Sequence, residues 1–248
     1  ISLLILGEPL YIQLEPLDYL RLVISAVLGI AVADTMVAAA VNLLGASLQA
    51  LADCAYAPSI AFVGFVMFGE ILSTWEIIGG IFVLFGVFVG ATMTAEIKNP
   101  KDLWVGILLA AGAHVVMAIG ILMVRDIFRQ ESLVWVCSFR FLIGALAMYI
   151  YAVIRFPGRV KETLFIGFLR PDMWRTLIPM AILGPYLATL FWMAGFKYLE
   201  AGRAAIFNQL STVFIIVLAY FLLGEKLSKR KMLGVVLALV GAGLVVSH

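Results

Sequence analysis

The chain has 248 residues, 64% of them hydrophobic and only 13% charged, with a formal net charge of +2. A water-soluble domain is nearer half apolar and a quarter charged, so the composition excludes one and implies a polytopic membrane protein. The small net charge implies no nucleic-acid partner. Cys54 and Cys137 lie inside apolar runs and support neither a disulfide framework nor a metal site.

Along the chain, residues 1–7, ISLLILG, read as the tail of a helix already under way, with no signal-peptide pattern. Eight runs then have the roughly 20 mostly apolar residues that a membrane-spanning helix needs. They are 20–44, 48–68, 76–95, 103–124, 132–154, 174–197, 203–223 and 231–247. Short connectors, all but one of them charged, separate them: EPLDY, GAS, GE, EIKNPKD, RDIFRQE, a longer one ending in RPDMWR, KYLEAGR and GEKLSKRK. Barrel strands would be about ten residues long and would alternate, which these runs do not.

GEILS at 69–73 returns as GEKLS at 224–228, 155 residues later. At that separation residues 29–90 fall on 184–245 without a gap. Gly29 meets Gly184, Gly69 meets Gly224, Glu70 meets Glu225, Ser73 meets Ser228, Gly79 meets Gly234 and Gly86 meets Gly241. The separation carries each helix onto the fifth one after it. Five is odd, so the second copy starts from the opposite membrane face, which is an inverted-topology repeat. The expected fold is an all-α polytopic membrane protein. A first repeat over 1–96 is shortened at its start, and a second covers 97–248. Eight full spans plus a stub are present, and the intact protein is expected to have ten.

Several of these segments resemble the EamA branch of the drug/metabolite transporter superfamily. SFRFLIGALAMYIY at 138–151 is similar to its Arg-Phe pattern early in the second helix of a repeat. FKYLEAGRAAIFNQL and LGEKLS resemble the end of its third helix, its fourth helix and the turn that follows. LGVVLALVGAGLVV resembles its last helix. The resemblance implies a ten-helix carrier of small metabolites, an exporter of amino acids or similar solutes, in a bacterial-type cytoplasmic membrane. It also implies that both termini are cytoplasmic. The Lys and Arg count, five on one set of connectors against eleven on the other, places the C-terminus outside. The orientation stays open.

Polar residues inside apolar spans are costly and mark cavities or partners. Asp34 stands in mid-helix in VADTM, and Asp53 early in the next run in LADCAYAP. Gln49, Asp53 and Tyr56 are spaced i, i+4, i+7 and share one helix face. Asn208 and Ser211, the repeat counterparts of Asp53 and Tyr56, form a second polar stripe with Thr212. Equivalent helices of an inverted repeat meet near mid-membrane, where a carrier's solute site is expected. Asp53 and Asp34 are the leading candidates to take up a proton or to pair with a cationic group; helix packing is the competing role for each. His114, Arg140 and Trp192 complete the candidate substrate-binding set, although a packed imidazole, a snorkelling Arg140 and a packing indole are plain alternatives. Pro58 and Pro185 each remove a backbone donor and are candidate hinges. Gly79 with Gly86, and Gly234 with Gly241, make small-residue stripes for packing against each other or against a second protomer. Trp104, Trp135 and Trp174 read as interface anchors.

The expected function is gradient-driven movement of a small polar or amphipathic solute. Lipid is the surrounding partner, and no cofactor is implied. No GxxxxGK[ST] is present, so ATP does not drive it directly. A membrane scaffold is the alternative from another class. An intramembrane aspartyl enzyme is a weaker one, because VADT and LADC lack the paired YD and GxGD that it requires.

Overall fold

The computed structural model describes residues 3, 7–90, 100–158, 173–223 and 229–246. The second corner, GEKLS at 224–228, lies outside the described residues. Every described element is helical. The chain divides into two compact units, each built from two separate stretches of sequence. One contains residues 1–32 and 123–198, the other 33–122 and 199–248.

The first unit contains α1 (Pro16–Ala26), a π-helical segment (Val27–Val32), α6 (Arg125–Gln130), α7 (Leu133–Arg155) and α8 (Trp174–Ala181). A second π-helical segment (Ile182–Ala188) and α9 (Thr189–Tyr198) complete it. Leu22, Phe128, Val136 and Phe196 form its buried interior. Trp135 belongs there too. It is buried, stacks on Phe139 at 5.3 Å, and donates its indole N–H to the Leu10 carbonyl at 3.3 Å. A carbonyl within reach and an aromatic neighbour satisfy both ends of the indole.

The connector before α7 is tied down electrostatically. Arg21 binds both carboxylate oxygens of Asp126, at 2.6 and 2.8 Å, together with Asp18 at 2.9 Å and the Met123 carbonyl. Burial favours the neutral form of Asp126, but the Arg21 guanidinium outweighs it and holds the carboxyl below the usual range. A depressed folded-state pKa contributes stability that is present above the unfolded value, about 3.9, and that is lost as pH falls through the folded one. Asp126→Asn is therefore expected to lower the melting temperature at pH 7 and to lower it by less near pH 3. The pair is half exposed, so the loss is at most about 1 kcal/mol. Thermal melts in detergent across that range are the check, and an equal loss at both pH values would contradict the assignment.

The second unit contains α2 (Ala33–Ala52), a 3₁₀ turn (Asp53–Ala55), α3 (Tyr56–Phe68), α4 (Thr74–Gly90) and α5 (Pro100–Leu122). It also holds α10 (Ala201–Asn208), α11 (Leu210–Leu223) and α12 (Lys229–Val246). Two boundaries differ from the sequence expectation. The GAS connector at 45–47 is helical, and the interruption comes at Asp53–Ala55 instead. One helical Gly costs only about 1 kcal/mol, too little to end a helix. Pro58, by contrast, offers no N–H to the Cys54 carbonyl, and the chain ahead of it tightens to i+3 bonding. The run 203–223 is likewise split at Gln209, whose N–H bonds the Ile206 carbonyl.

Four helices are long and apolar enough to cross a membrane: Pro16–Leu44, Lys101–Leu122, Leu133–Arg155 and Trp174–Tyr198. Asp53–Phe68, Thr74–Val89 and Met232–Val245 are shorter apolar helices. Among the described residues, the apolar runs expected from hydropathy thus include both long helices and shorter or interrupted ones.

The π-helical segments start at Val27 and Ile182, 155 residues apart. The glycine stripes meet each other. A Cβ built on Gly79 would lie 2.6 Å from the Gly241 carbonyl oxygen, and one on Gly86 would lie 2.6 Å from that of Gly234. The register falls on one helix as it rises on the other, so α4 and α12 run antiparallel. Each contact also joins a glycine to the residue 155 positions beyond the other one.

Candidate functional site

The site in the second unit is built where helices break. α2 ends beside Asp53, α10 ends at Asn208, and α5 passes both with His114 in its middle. Asp53 Oδ1 accepts from Gln49 Nε2 at 2.7 Å and lies 3.1 Å from His114 Nε2. The Gln49 bond is the i, i+4 contact that the sequence spacing implied. With Asp53 ionised, His114 donates through Nε2 and its Nδ1 is left as a buried acceptor without a partner. Gln49 Oε1 is a second buried acceptor without one. The Asp53 side chain is 48% exposed, against 7% for His114. A carboxylate at a helix break, held by neutral donors and open on one side, can take a proton or a cationic group.

The two polar stripes do come together. Asn208 Nδ2 donates to the Tyr56 hydroxyl at 3.3 Å, and Gln209 Nε2 to the Asp53 carbonyl at 3.0 Å. Tyr56 sets its ring edge-on to His114 at 5.7 Å. Gln49, Asp53, Tyr56, His114 and Asn208 therefore form one connected group. Asp34 and Ser211 do not join it: both are exposed on their helices, and neither makes a side-chain hydrogen bond among the described residues. The side chain of Thr212 lies outside the described residues. Pro58 stands in the first turn of α3, where a missing N–H leaves no helical bond unmade.

One end of this unit is closed by residues that the sequence reading passed over. Ser73 and Glu76 form a reciprocal capping box at the start of α4. Ser73 N donates to Glu76 Oε2 at 2.6 Å, and Glu76 N to Ser73 Oγ at 3.2 Å. The S-x-x-E spacing in GEILSTWE was the available signal. Glu76, 2% exposed, also pairs with Arg203 at the start of α10. Glu70 accepts the Ala201 N–H at 2.8 Å, one of the unpaired donors of that helix start. The GE corner thus binds the next helix pair by its carboxylate as well as turning the chain.

A model of the EamA-like transporter family matches residues 104–247, more than half of the chain. The chain belongs to the EamA-like transporter family. It is an integral membrane protein of a family that moves solutes, as the sequence resemblance implied. A solved structure described as "Crystal structure of protein" is similar in fold. Its TM-score is 0.74 at 19% identity, over 98% of this chain and 80% of that one. No curated protein matches the chain.

The remaining candidates of this EamA-like transporter lie in its first unit. Arg140, on α7, is 2% exposed, so it does not snorkel to an interface. Trp192 is half-buried on α9 and packs edge-on to Phe196 at 5.5 Å. Pro185 sits inside the π-helical segment Ile182–Ala188, where i+5 bonding accommodates the missing donor. A π-helical segment stands at the same register in the first copy without a proline, so Pro185 is not its sole cause.

Proposed function

We propose that the chain is a secondary transporter, an exporter of small polar or amphipathic solutes across a bacterial-type cytoplasmic membrane, driven by an ion or proton gradient. The observation that carries this reading is the half-exposed Asp53 carboxylate. It is bonded to Gln49 and His114 and has no lysine or arginine partner among the described residues, at a helix interruption that recurs near Gln209. Broken helices at a polar site are how carriers reach a solute with backbone and side chain together. The 155-residue recurrence of the π-helical segments and the antiparallel α4–α12 pair support a fold of two inverted repeats. Inverted repeats are the plan by which one site is opened in turn to each side. In this reading Asp53 and His114 share the coupling proton. Gln49, Tyr56 and Asn208 hold the polar groups of the solute.

The test reconstitutes the protein in liposomes and exposes loaded and empty vesicles to a mixed metabolite extract, with a proton gradient of either sign. Mass spectrometry identifies what accumulates. A species that follows the gradient in protein-containing vesicles is the expected result. Accumulation that ignored the gradient would remove proton coupling, and none from folded protein would remove the carrier reading.

A further inference from the structure

Arg140 is a cation without a counter-charge. It lies on the third turn of α7, 2% exposed, among groups that are poor anion substitutes. Its Nη1 donates to the Met193 thioether sulfur at 3.3 Å. The guanidinium carbon lies 5.5 Å from the centre of the Phe128 ring. Its Nε is buried with no acceptor. Among the described residues it has no ion pair and no backbone carbonyl partner. Cys137, one turn back and also buried, carries no formal charge as a thiol. A sulfur acceptor and a phenyl face return little of what removing a guanidinium from water costs. A chain selected only for packing would place an apolar residue there.

The cover over the fork is compliant. Met193 has an unbranched, deformable side chain. Across from Nη2 stands Gly29, where a Cβ would approach to 3.0 Å, so the glycine leaves the space that any side chain would take. Gly29 belongs to the π-helical segment Val27–Val32, an irregularity of the kind that gathers at functional positions. A planar fork with an unused Nε and Nη edge matches a carboxylate, which binds it through two parallel hydrogen bonds.

We infer that Arg140 is an anion-binding residue, and that the ligand it receives is a carboxylate-bearing solute which takes up the unused Nε edge and supplies the missing counter-charge. That this solute is the transported one rests on the carrier reading above; the binding itself does not.

The test measures melting temperature of the full chain in detergent with four probes at matched ionic strength: benzoate, inorganic phosphate, chloride and tetraethylammonium. Wild type is expected to be raised by several degrees by benzoate, since a ligand of the folded state stabilises it by mass action. Chloride and tetraethylammonium are expected to leave it unchanged. A larger rise with phosphate than with benzoate would overturn the carboxylate assignment. Arg140→Met removes a buried cation and fills its volume, so it is expected to melt at or above the wild-type temperature and to lose the benzoate rise. Arg140→Lys keeps the charge and loses the fork, and is expected to bind benzoate about tenfold more weakly. A benzoate rise that survives in Arg140→Met, or no rise in wild type, overturns the inference. Should Arg140→Met fail to fold, unchanged benzoate affinity in Arg140→Lys overturns it as well. Benzoate binding without solute flux in liposomes would sink the carrier reading alone, and flux without any anion effect would sink this inference alone.

Discussion

Asp53→Asn is expected to fold and to stop responding to the proton gradient. The asparagine keeps an oxygen where Gln49 Nε2 donates, at 2.7 Å in the wild type, and occupies the same volume. The position is half exposed, so no buried charge is stranded by the change. The melting temperature should therefore move by only a few degrees. What disappears is the group that ionises, together with the charge-assisted part of the contact to His114. Hydrogen bonds to charged groups contribute about 1.5–3 kcal/mol, so loss of solute or proton affinity by roughly tenfold or more is expected. The measurement is initial flux in liposomes at a fixed proton gradient, set beside flux with the gradient collapsed. An asparagine variant that still followed the gradient would move coupling away from Asp53 and leave it a packing residue. His114→Gln is the companion experiment. It retains a donor toward Asp53 but cannot be protonated, which separates the hydrogen bond from the proton.

Gly79→Ala and Gly86→Ala are expected to destabilise the protein by similar amounts, because their contacts on α12 are equivalent. In each case the added carbon would meet a carbonyl oxygen at 2.6 Å, that of Gly241 or of Gly234. A carbonyl in the middle of a helix cannot rotate away as a side chain can, so the helices must separate along their whole contact. Overpacking of this kind costs about 1–3 kcal/mol. Gly79→Leu or Gly86→Leu should cost more, read directly as loss of folded protein on gel filtration. Gly243→Ala is the control. A Cβ there meets nothing within 4 Å, and replacing a helical glycine is expected to be neutral or to stabilise by up to about 1 kcal/mol. Equal melting temperatures for Gly79→Ala and Gly243→Ala would mean that the α4–α12 contact is not held by its glycines.

The sequence by itself determined the class of the protein, because apolar content and the length of apolar runs follow from what lipid requires of a chain. The return of GEILS as GEKLS 155 residues later was legible too, since it needs only counting, and the glycine stripes with it. The pairing of Gln49 with Asp53 was legible because four residues is one helical turn. The ends of the helices were less so. Hydropathy averages over some 20 residues and does not register a 3₁₀ turn at Asp53–Ala55, a break at Gln209 or a π-helical segment, each of which depends on a few backbone bonds.

Only the tertiary structure decided which polar residues act as a group. Asp34 and Asp53 look alike as letters, yet one stands exposed without a hydrogen bond while the other gathers Gln49 and His114, the latter 61 residues away. Long-range partners of that kind depend on helix crossing, which no local pattern encodes. The same holds for Arg140. Its sequence position allowed a snorkelling side chain or a buried one, and the choice rests on Phe128, Met193 and Gly29 closing around it from three other segments.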